Sequence, residues 1–220
     1  MAIVVSLILL VALMSSVPIA IAIGMATMGA LVILSPDFLV LVPQKILAGI
    51  DSFTLLAIPM FIFAGTVMGN GGIARRIVNL ALIFVGQVRG GLGFVVIIST
   101  MFFSGVCGSA SADTAAIGST TMPEMLKRKY PPAFATALLA ASGATASIIP
   151  PSIDLIIIGI VSGISIGGLF AAGILPGVVN ALALMALCYF YAIRLNLPVT
   201  ESTNWNEKKA VFKDGVLAIL

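Results

Sequence analysis

Two short segments of this 220-residue chain carry oxygen-bearing side chains within apolar sequence. The first contains one carboxylate, Asp113, and the second surrounds Pro150-Pro151. Hydroxyl, carboxylate and carbonyl oxygens, without sulfur or imidazole ligands, suit a hard cation. Because carboxylates are few, the set favours sodium over calcium. The oxygen-bearing residues are Ser104, Ser109, Ser111, Asp113, Thr114, Thr145, Ser147 and Ser152.

Asp113 is the only carboxylate among these residues. A charge inside a membrane is costly and usually functional, so the sequence predicts that Asp113 binds the cation. Asp113 is also placed to cap the helix that begins beside it, and the two roles are compatible. Asp154, just beyond the proline pair, either assists the site or faces water, and the sequence leaves both open. We expect replacement of Asp113 or Ser109 by alanine to weaken the dependence of this protein's activity on sodium.

No catalytic arrangement accompanies these oxygens. The chain has no histidine, no paired carboxylates and no nucleophile elbow, and the serine-rich strip lacks a lysine partner, so an enzyme is not expected. Gly90, Gly91 and Gly93 lack the Gly-Lys-Ser/Thr that completes a phosphate-binding loop. Cys107 and Cys188 stand far apart in apolar sequence, which predicts packed free thiols and neither a redox pair nor a metal centre.

The composition places these residues in a membrane protein. Hydrophobic residues make up 60% of the chain and charged residues 9%. Several apolar runs approach the roughly 20 residues that cross a hydrocarbon core of about 30 Å, and the sequence predicts an all-α polytopic membrane protein. The basic residues are scattered between these runs, as orientation signals are, so no nucleic-acid partner is expected. The runs are 2–34, 52–69, 92–107, 133–149 and 155–193.

Prolines, glycines and charges divide the first 90 residues into elements. Ser15-Ser16-Val17-Pro18 breaks a run that is too long for one span, and Pro59 is expected to kink a later helix. The segment with Arg75 and Arg76 has an apolar middle too short to cross, which favours a helix lying in the membrane interface. In chain order, the sequence predicts helices at about 2–15 and 18–34, a loop at 35–51, a span at 52–69 and the interfacial helix at 73–89.

The distribution of basic residues predicts a re-entrant hairpin. Of eleven basic residues, only Lys45 lies in the 35–51 segment. The other ten share one side only if 92–126 enters the membrane and returns without crossing, which puts them in the cytoplasm and the N-terminus outside. Helices at 92–105 and 112–126 would each be about 21 to 23 Å long. The tip would comprise 104–111, which is rich in residues that break or cap helices.

A second interruption follows at Pro150-Pro151. Two missing N–H donors and the ring clashes must open the helix around 146–151. We expect helical residues at 131–147 and again from 152 to the mid-160s, then a span at 169–193. Two interruptions at similar depth are typical of a transporter's binding centre. Two glycine pairs are expected to serve close helix packing, Gly163-x-x-x-Gly167 and Gly173-x-x-x-Gly177.

Several motifs resemble the large membrane subunit, DctM, of tripartite ATP-independent periplasmic (TRAP) transporters. The stretch GSASADTAAIGSTTMPEM resembles the hairpin signature of that family. The resemblance runs from about residue 3 to 220. Further matching stretches, in the same order, are VPIAIAIG at 17–24, SFTLLAIPMFIFAG at 52–65, GGIARRIVNLA at 71–81, VRGGLGFVVI at 88–97 and SIIPPSIDLIIIG at 147–159.

The resemblance implies an elevator-type transporter with a static scaffold and a moving transport domain, built from two inverted repeats. This chain would contain the first repeat. Family members are roughly twice as long, and a second hairpin and unwound helix would be missing, so the chain alone is not expected to transport. The implied parts are scaffold helices at 1–70, an interfacial arm helix at 71–90, half of the transport domain at 91–168 with hairpin 92–126 and discontinuous helix 131–165, a transmembrane helix at 169–195, and a cytoplasmic linker with the start of the second repeat at 196–220.

The resemblance also implies the site residues. Sodium sites of the family lie between the hairpin tip and the unwound helix. No metal beyond sodium as the coupling ion is expected, and no cofactor. The family's sites carry over onto Ser104, Gly105, Ser109, Ser111 and Asp113, and onto Gly143, Thr145, Ser147, Ile148 and Pro150; the residues expected to face substrate are Ser109, Thr114 and Ser152.

The implied function is sodium-driven import of organic acids, such as C4-dicarboxylates, sialic acids or other sugar acids. The implied partners are a four-helix small membrane subunit (DctQ type) and a periplasmic solute-binding protein. The location would be the lipid bilayer of a bacterial or archaeal inner membrane, with the N-terminus in the periplasm. Two alternatives stay open: a sodium/dicarboxylate elevator carrier that needs no binding protein, and a non-transporting channel or scaffold. Adding the binding protein to vesicles would separate the TRAP transporter from the independent carrier, since only the TRAP system would need it.

Overall fold

The computed structural model describes residues 2–34, 36–51, 53–199 and 211. These residues form helices joined by short turns, with an isolated antiparallel bridge between Arg89 and Val199. The prediction of an all-α chain is confirmed for this part of the sequence. The chain forms two compact units, Met1–Phe53 and Thr54–Leu220.

The first unit begins with two packed helices, α1 (Ala2–Met14) and α2 (Ile19–Leu34). The predicted break between them is confirmed, and Ser16 there has φ +59°. Small residues line the interface: Ala12 on α1 and Ala22, Ala26 and Ala30 on α2 are buried. Their spacing of four residues puts the α2 alanines on one face of that helix, which lets the two backbones approach closely.

The predicted loop at 35–51 is wrong for most of its length. A 3-10 turn at Pro36–Val40 leads into α3 (Leu41–Ile50). Asp37 and Lys45 suggested a loop, but the apolar side chains between them favour helix. Leu41, Val42 and Ile46 line a cavity together with residues of α2. All of α3 is described and none of its residues is buried, so this apolar stripe borders the cavity and is not packed in a core.

A 3-10 turn at Phe53–Leu56 begins at the last residue of the first unit. The first α-helix of the second unit is α4 (Ala57–Asn70). The predicted kink at Pro59 is wrong, because Pro59 lies in the first turn of α4, where backbone N–H groups have no partner within the helix. The next helix, α5 (Ile73–Val85), buries one face formed by Ala74, Ile77, Val78 and Ala81. Its predicted place in the membrane interface stays a prediction.

A helical hairpin forms the centre of the second unit. Its arms are α6 (Gly91–Cys107) and α7 (Ala110–Lys127), of 17 and 18 residues, so they are about 26 and 27 Å long. The predicted tip at 104–111 is wrong in extent, since only Gly108 and Ser109 lie outside helix. Ser104 and Gly105 belong to α6 and Ser111 to α7.

Within the helical part of the hydroxyl-rich stretch, several side chains bond to the helix's own backbone. The hydroxyl of Thr114 donates to the carbonyl of Ala110 at 2.6 Å, and that of Thr121 to Ile117 at 2.8 Å. Bonds to a carbonyl one turn earlier satisfy Ser and Thr without exposing them to water. The polar composition of 104–121 therefore did not require an open backbone.

The chain continues through α8 (Pro132–Ala146) and α9 (Ile153–Ser162), separated by the non-helical segment 147–152. The predicted interruption at Pro150-Pro151 is confirmed, and the peptide bond between these two residues is cis. The last described helix, α10 (Ile166–Arg194), has 29 residues and begins three residues before the predicted start. Within the described part of the chain, α10 alone is long and apolar enough to cross a membrane unaided.

The two glycine pairs differ in role. The first prediction of helix packing is wrong: Gly163 ends α9 with φ +68°, and a Cβ added there or at Gly167 would meet no more than the Ser165 hydroxyl at 3.9 Å. The second pair does pack closely, because a Cβ on Gly173 or Gly177 would lie 2.6 or 2.7 Å from residues of the 147–152 segment. The partner is non-helical chain and not another helix.

Both cysteines are buried free thiols, as predicted. The sulfur of Cys107 on α6 packs against Gly65 of α4, and the sulfur of Cys188 on α10 packs against Gly93 of α6. In each case the glycine leaves room for the thiol, so the two cysteines act as packing residues around α6.

Candidate functional site

The tip of the hairpin contacts the interruption between α8 and α9. Gly108 ends α6 in the left-handed region, at φ +65°. Its carbonyl accepts a hydrogen bond from the N–H of Ile153 at 3.1 Å. A Cβ on Gly108 would lie 2.8 Å from the carbonyl oxygen of Pro151, closer than a real contact. The two interruptions found in the sequence are therefore neighbours in space, and glycine is needed at the point of contact.

Asp113 lies one turn into α7, at the base of this contact. It is 0% exposed, and neither carboxylate oxygen has a hydrogen-bond partner within the described part of the chain. The groups that interact with the carboxyl are the Cys107 thiol and the Ser104 hydroxyl, both on α6. A buried carboxylate in this state needs a cation or a proton, because burial of an unpaired charge is very unfavourable.

Asp113 does not cap α7 through its side chain. The residue in the cap position is Ser109, whose backbone is extended and whose hydroxyl makes no capping bond. The Ser109 hydroxyl lies 3.3 Å from that of Ser111. The two hydroxyls thus form a pair at the tip, with lone pairs available to a ligand. Ser109 is half-buried and Ser111 is exposed.

The two serines of the 147–152 segment form hydrogen bonds within the segment and with the adjoining helices. Ser152 is fully buried; its hydroxyl donates to the carbonyl of Ser147 and accepts from the N–H of Leu155 at 3.4 Å, which caps α9. The Ser147 hydroxyl donates to the carbonyl of Ala144 at 2.9 Å. Ser152 therefore has a structural role here, and its contact with a substrate stays a prediction.

Gly143 and Thr114 lie at a close contact between α8 and α7. A Cβ on Gly143 would overlap the Thr114 hydroxyl and lie 3.3 Å from the carbonyl of Ala110. Gly143 is inside α8, three residues before its end, so its small size serves this approach of two helices. The ion-binding role implied for its backbone stays a prediction.

Gly105 and Pro150 link the two sets of predicted residues. A Cβ on Gly105 would be in ordinary contact, at 3.9 Å, with the carbonyl oxygen of Pro150. The structure therefore brings Gly105, Gly108 and Pro150 together. Asp113 instead interacts with residues of the hairpin. The predicted sodium-site residues therefore form two groups that meet at the tip. The hairpin group is Ser104, Gly105, Ser109, Ser111 and Asp113, and the break group is Gly143, Thr145, Ser147, Ile148 and Pro150.

The sequence did not single out Asn180, which the structure places beside the break. The Asn180 amide on α10 donates to the hydroxyl of Thr145 at 3.0 Å. The same hydroxyl donates to the carbonyl of Ala141 at 3.0 Å. The available signal was a lone amide in a long apolar helix, which in a membrane points to an interhelical contact.

A cavity of about 690 Å³ begins at Ser109 and follows one face of α7. Its other walls come from α4, α5 and α6. Such a volume lies within the usual range of small-molecule sites. The polar and charged residues of its lining are Thr66, Arg75, Ser109, Ser119 and Thr120.

Known proteins are similar in sequence to this chain along most of its length. Residues 5–220 match the family model for the tripartite ATP-independent periplasmic transporter, DctM component. An uncharacterized protein of Salmonella typhimurium is 44% identical over 207 residues, which cover 93% of this chain and 48% of that protein. The 2,3-diketo-L-gulonate TRAP transporter large permease protein of Escherichia coli is 44% identical over 176 residues, covering 80% and 41%. The sialic acid TRAP transporter large permease protein of Vibrio cholerae is 40% identical over 177 residues, covering 80% and 42%.

The chain spans less than half the length of these three relatives. The family model nevertheless matches nearly all of the chain, and the named relatives are membrane permeases. The resemblance drawn from the hairpin and break motifs is thereby confirmed: the chain belongs to the DctM family of TRAP transporter large permeases.

Proposed function

We propose that this chain forms one half of the ion and substrate centre of a sodium-coupled permease that imports organic acids. The observation that carries the proposal is Asp113, a fully buried carboxylate with no hydrogen-bond partner in the described chain. Removing a carboxylate from water costs several kcal/mol unless a counter-charge compensates it. A sodium ion transported with the substrate would supply that charge.

The hairpin group would bind sodium through oxygen. Besides the Asp113 carboxylate, Ser104, Ser109 and Ser111 carry hydroxyls on or beside the tip. Sodium prefers such hard oxygen ligands. Hydroxyls left without a capping bond, as at Ser109, are available to an ion.

The break group would bind sodium through Thr145, Ser147 and the carbonyls of Gly143, Ile148 and Pro150. Non-helical backbone within a membrane protein commonly leaves carbonyls for a cation. Because the Gly108 carbonyl bonds to Ile153, an ion that orders the tip would also order the break. This contact is the physical route by which sodium would prepare the substrate site.

The substrate would be an organic acid that approaches the tip. The Escherichia coli and Vibrio cholerae relatives are named for 2,3-diketo-L-gulonate and sialic acid, and both compounds carry a carboxylate. The cavity beside α7 contains a guanidinium, Arg75, and several hydroxyls, which suit a polar anion. Ser109, which lines this cavity, would face the substrate near the tip. The Thr114 hydroxyl lies at the contact of α7 with Gly143, so its contact with a substrate has no support from this cavity.

The same proposal covers the transport cycle and the partners. The hairpin would be re-entrant, with its tip near mid-membrane, and would move with the break as part of an elevator domain. The small four-helix membrane subunit and a periplasmic solute-binding protein would complete the system in the inner membrane, with the N-terminus in the periplasm. This arrangement would keep the basic ends of the hairpin in the cytoplasm.

The test is uptake of labelled organic acids into proteoliposomes that contain the permease carrying this sequence and its small subunit. Uptake is measured with and without the binding protein, under a sodium gradient or a pH gradient. We expect uptake to require both sodium and the binding protein. Uptake without the binding protein would favour the independent carrier, and uptake driven only by a pH gradient would assign a proton to Asp113.

The variant Asp113→Asn tests the observation itself. It keeps the shape of the side chain and removes the charge, so we expect sodium to stop stimulating uptake while the protein still inserts and folds. The matched control is Asp154→Asn, since Asp154 is exposed in the first turn of α9. Equal sodium stimulation in the two variants would contradict the role proposed for Asp113.

A further inference from the structure

The long helix α10 contacts the break with one face. Gly173, Gly177 and Asn180 follow at intervals of four and three residues, which places them on the same side of a helix. A Cβ on Gly173 would lie 2.6 Å from the carbonyl oxygen of Ile148, and one on Gly177 would lie 2.7 Å from the side chain of Ile149. The two glycines therefore bring the α10 backbone against the segment that interrupts α8 and α9.

Asn180 adds a directed contact to this packing. Its amide nitrogen donates to the Thr145 hydroxyl at 3.0 Å, across 35 residues of sequence. Thr145 is almost fully buried, at 2% exposure. Asn180 itself is exposed and the bond is part-buried. An amide in a long apolar helix that bonds to a buried hydroxyl of another helix is typical of a directed contact between membrane helices.

The hydrogen bonds of the Thr145 hydroxyl fix the direction of its hydrogen and of one lone pair. A hydroxyl has one hydrogen to donate and two lone pairs. The hydrogen is directed at the Ala141 carbonyl, at 3.0 Å. One lone pair accepts from Asn180. The second lone pair is left for a ligand, and the hydrogen is directed away from it.

We propose that Asn180 is a positioning residue for the sodium site: it holds the Thr145 hydroxyl so that a lone pair, and not the hydrogen, is presented to the ion. This inference rests on the proposed function, in which Thr145 is a sodium ligand. Asn180 does not contact the ion. It acts through Thr145, while Gly173 and Gly177 hold the neighbouring backbone.

The inference predicts a change in sodium affinity. Asn180→Leu removes the donor at similar volume, and the Thr145 hydroxyl can then rotate. The sodium concentration for half-maximal uptake should rise by about two- to twelvefold, the effect of a single hydrogen bond. The maximal rate at saturating sodium should change less. A second variant, Asn180→Ala, should give the same rise and covers the case in which leucine disturbs packing.

The test is a double-mutant cycle in proteoliposomes containing the permease that carries this sequence and its small subunit. Uptake is measured against sodium concentration for Asn180→Leu, Thr145→Val and the double variant. If Asn180 acts through Thr145, replacing Asn180 changes nothing further once Thr145 is valine. The matched control is Thr136→Val, because the Thr136 hydroxyl donates to a carbonyl four residues earlier on the same helix and is exposed. This control should retain the sodium requirement of the unmodified permease.

The outcomes separate this inference from the proposed function. If the unmodified permease takes up substrate without sodium, the proposed function fails and the inference with it. If uptake depends on sodium but both Asn180 variants keep the original half-saturation, only the inference is overturned. An equal rise from Asn180→Leu with threonine and with valine at 145 would also overturn it, because Asn180 would then act independently of Thr145.

Discussion

Replacing Gly108 with alanine should separate the hairpin tip from the break. Gly108 has φ +65°, and its carbonyl holds the N–H of Ile153. An added Cβ would lie 2.8 Å from the Pro151 carbonyl oxygen. That neighbour is backbone, so no side-chain rotation can relieve the contact. The tip must shift away from the break, and the bond to Ile153 is weakened.

The free energy by which Gly108→Ala weakens the contact between tip and break is the sum of two contributions. A non-glycine residue in the left-handed region costs about 1 to 2 kcal/mol. Loss of the hydrogen bond to Ile153 adds about 0.5 to 1.5 kcal/mol. The sum, roughly 1.5 to 3.5 kcal/mol, corresponds to about 10- to 300-fold in the population of the contacting state, at one decade per 1.4 kcal/mol. Under the proposed function, the sodium concentration for half-maximal uptake should rise by at least tenfold.

The assay combines sodium-dependent uptake with thermal unfolding of the purified permease. Gly163→Ala is the matched control: Gly163 has φ +68° and ends α9, but a Cβ there meets nothing within 4 Å. Both variants should lower thermal stability through the backbone strain. Only Gly108→Ala should also change the sodium requirement.

Two results would refute this reasoning. One is equal sodium half-saturation in the two variants, since the tip contact would then not affect the ion site. The other is unchanged thermal stability in Gly108→Ala, which would mean that the tip does not adopt the left-handed conformation. The second result is independent of sodium coupling.

Two further predictions concern glycines at close approaches. Gly143→Ala should separate α7 from α8 and reduce uptake, because its Cβ would overlap the Thr114 hydroxyl; adding Thr114→Ala should restore most of the loss, as measured by uptake rate and thermal stability. Gly173→Ala should lower thermal stability by about 1 to 3 kcal/mol, the usual range for overpacking, because its Cβ would meet the Ile148 carbonyl, and no side-chain change should restore it.

The controls are glycines with open surroundings. Gly24 lies in a helix with nothing within 4 Å of an added Cβ, and Gly167 meets only the Ser165 hydroxyl at 3.9 Å. Alanine at either position should be neutral or slightly stabilising, since alanine favours helix over glycine. Failure of Thr114→Ala to rescue Gly143→Ala would contradict the proposed contact. If Gly173→Ala lowers thermal stability no more than Gly167→Ala does, the close contact of Gly173 with Ile148 is contradicted.

Elements with strong local signals could be predicted from the sequence. Ser16 and Pro18 divide the first apolar run, and Pro150-Pro151 opens a helix, because proline removes donors wherever it stands inside a helix. The helix α5 was predicted within 73–89 from its apolar middle, and the structure ends it at Val85. The helix at 41–50 could not be predicted, because Asp37, Lys45 and Asp51 give this segment the charged residues of a loop.

For the candidate site, the sequence supplied a list of residues, which stays a prediction, and did not supply their geometry. The hydroxyls of 104–114 suggested a wide, open tip, but only Gly108 and Ser109 lie outside helix, and the Thr114 hydroxyl bonds to a carbonyl one turn earlier. The separate hairpin and break groups, the shape of the tip and the role of Ser152 depend on where side chains bond in the folded chain. Asn180 was missed because a single amide has no local pattern.

The sequence by itself determined the class of this protein, its two interruptions and its family, because hydropathy, proline chemistry and motif order are properties of the chain as written. Tertiary structure decided that Gly108 contacts Pro151 and Ile153, that Asp113 is buried with its carboxylate oxygens unbonded among the described residues, and that Asn180 reaches Thr145. These contacts join residues that are distant in sequence. They exist only when helices pack at distances that glycines permit, and that packing depends on the whole fold and not on any local stretch of residues.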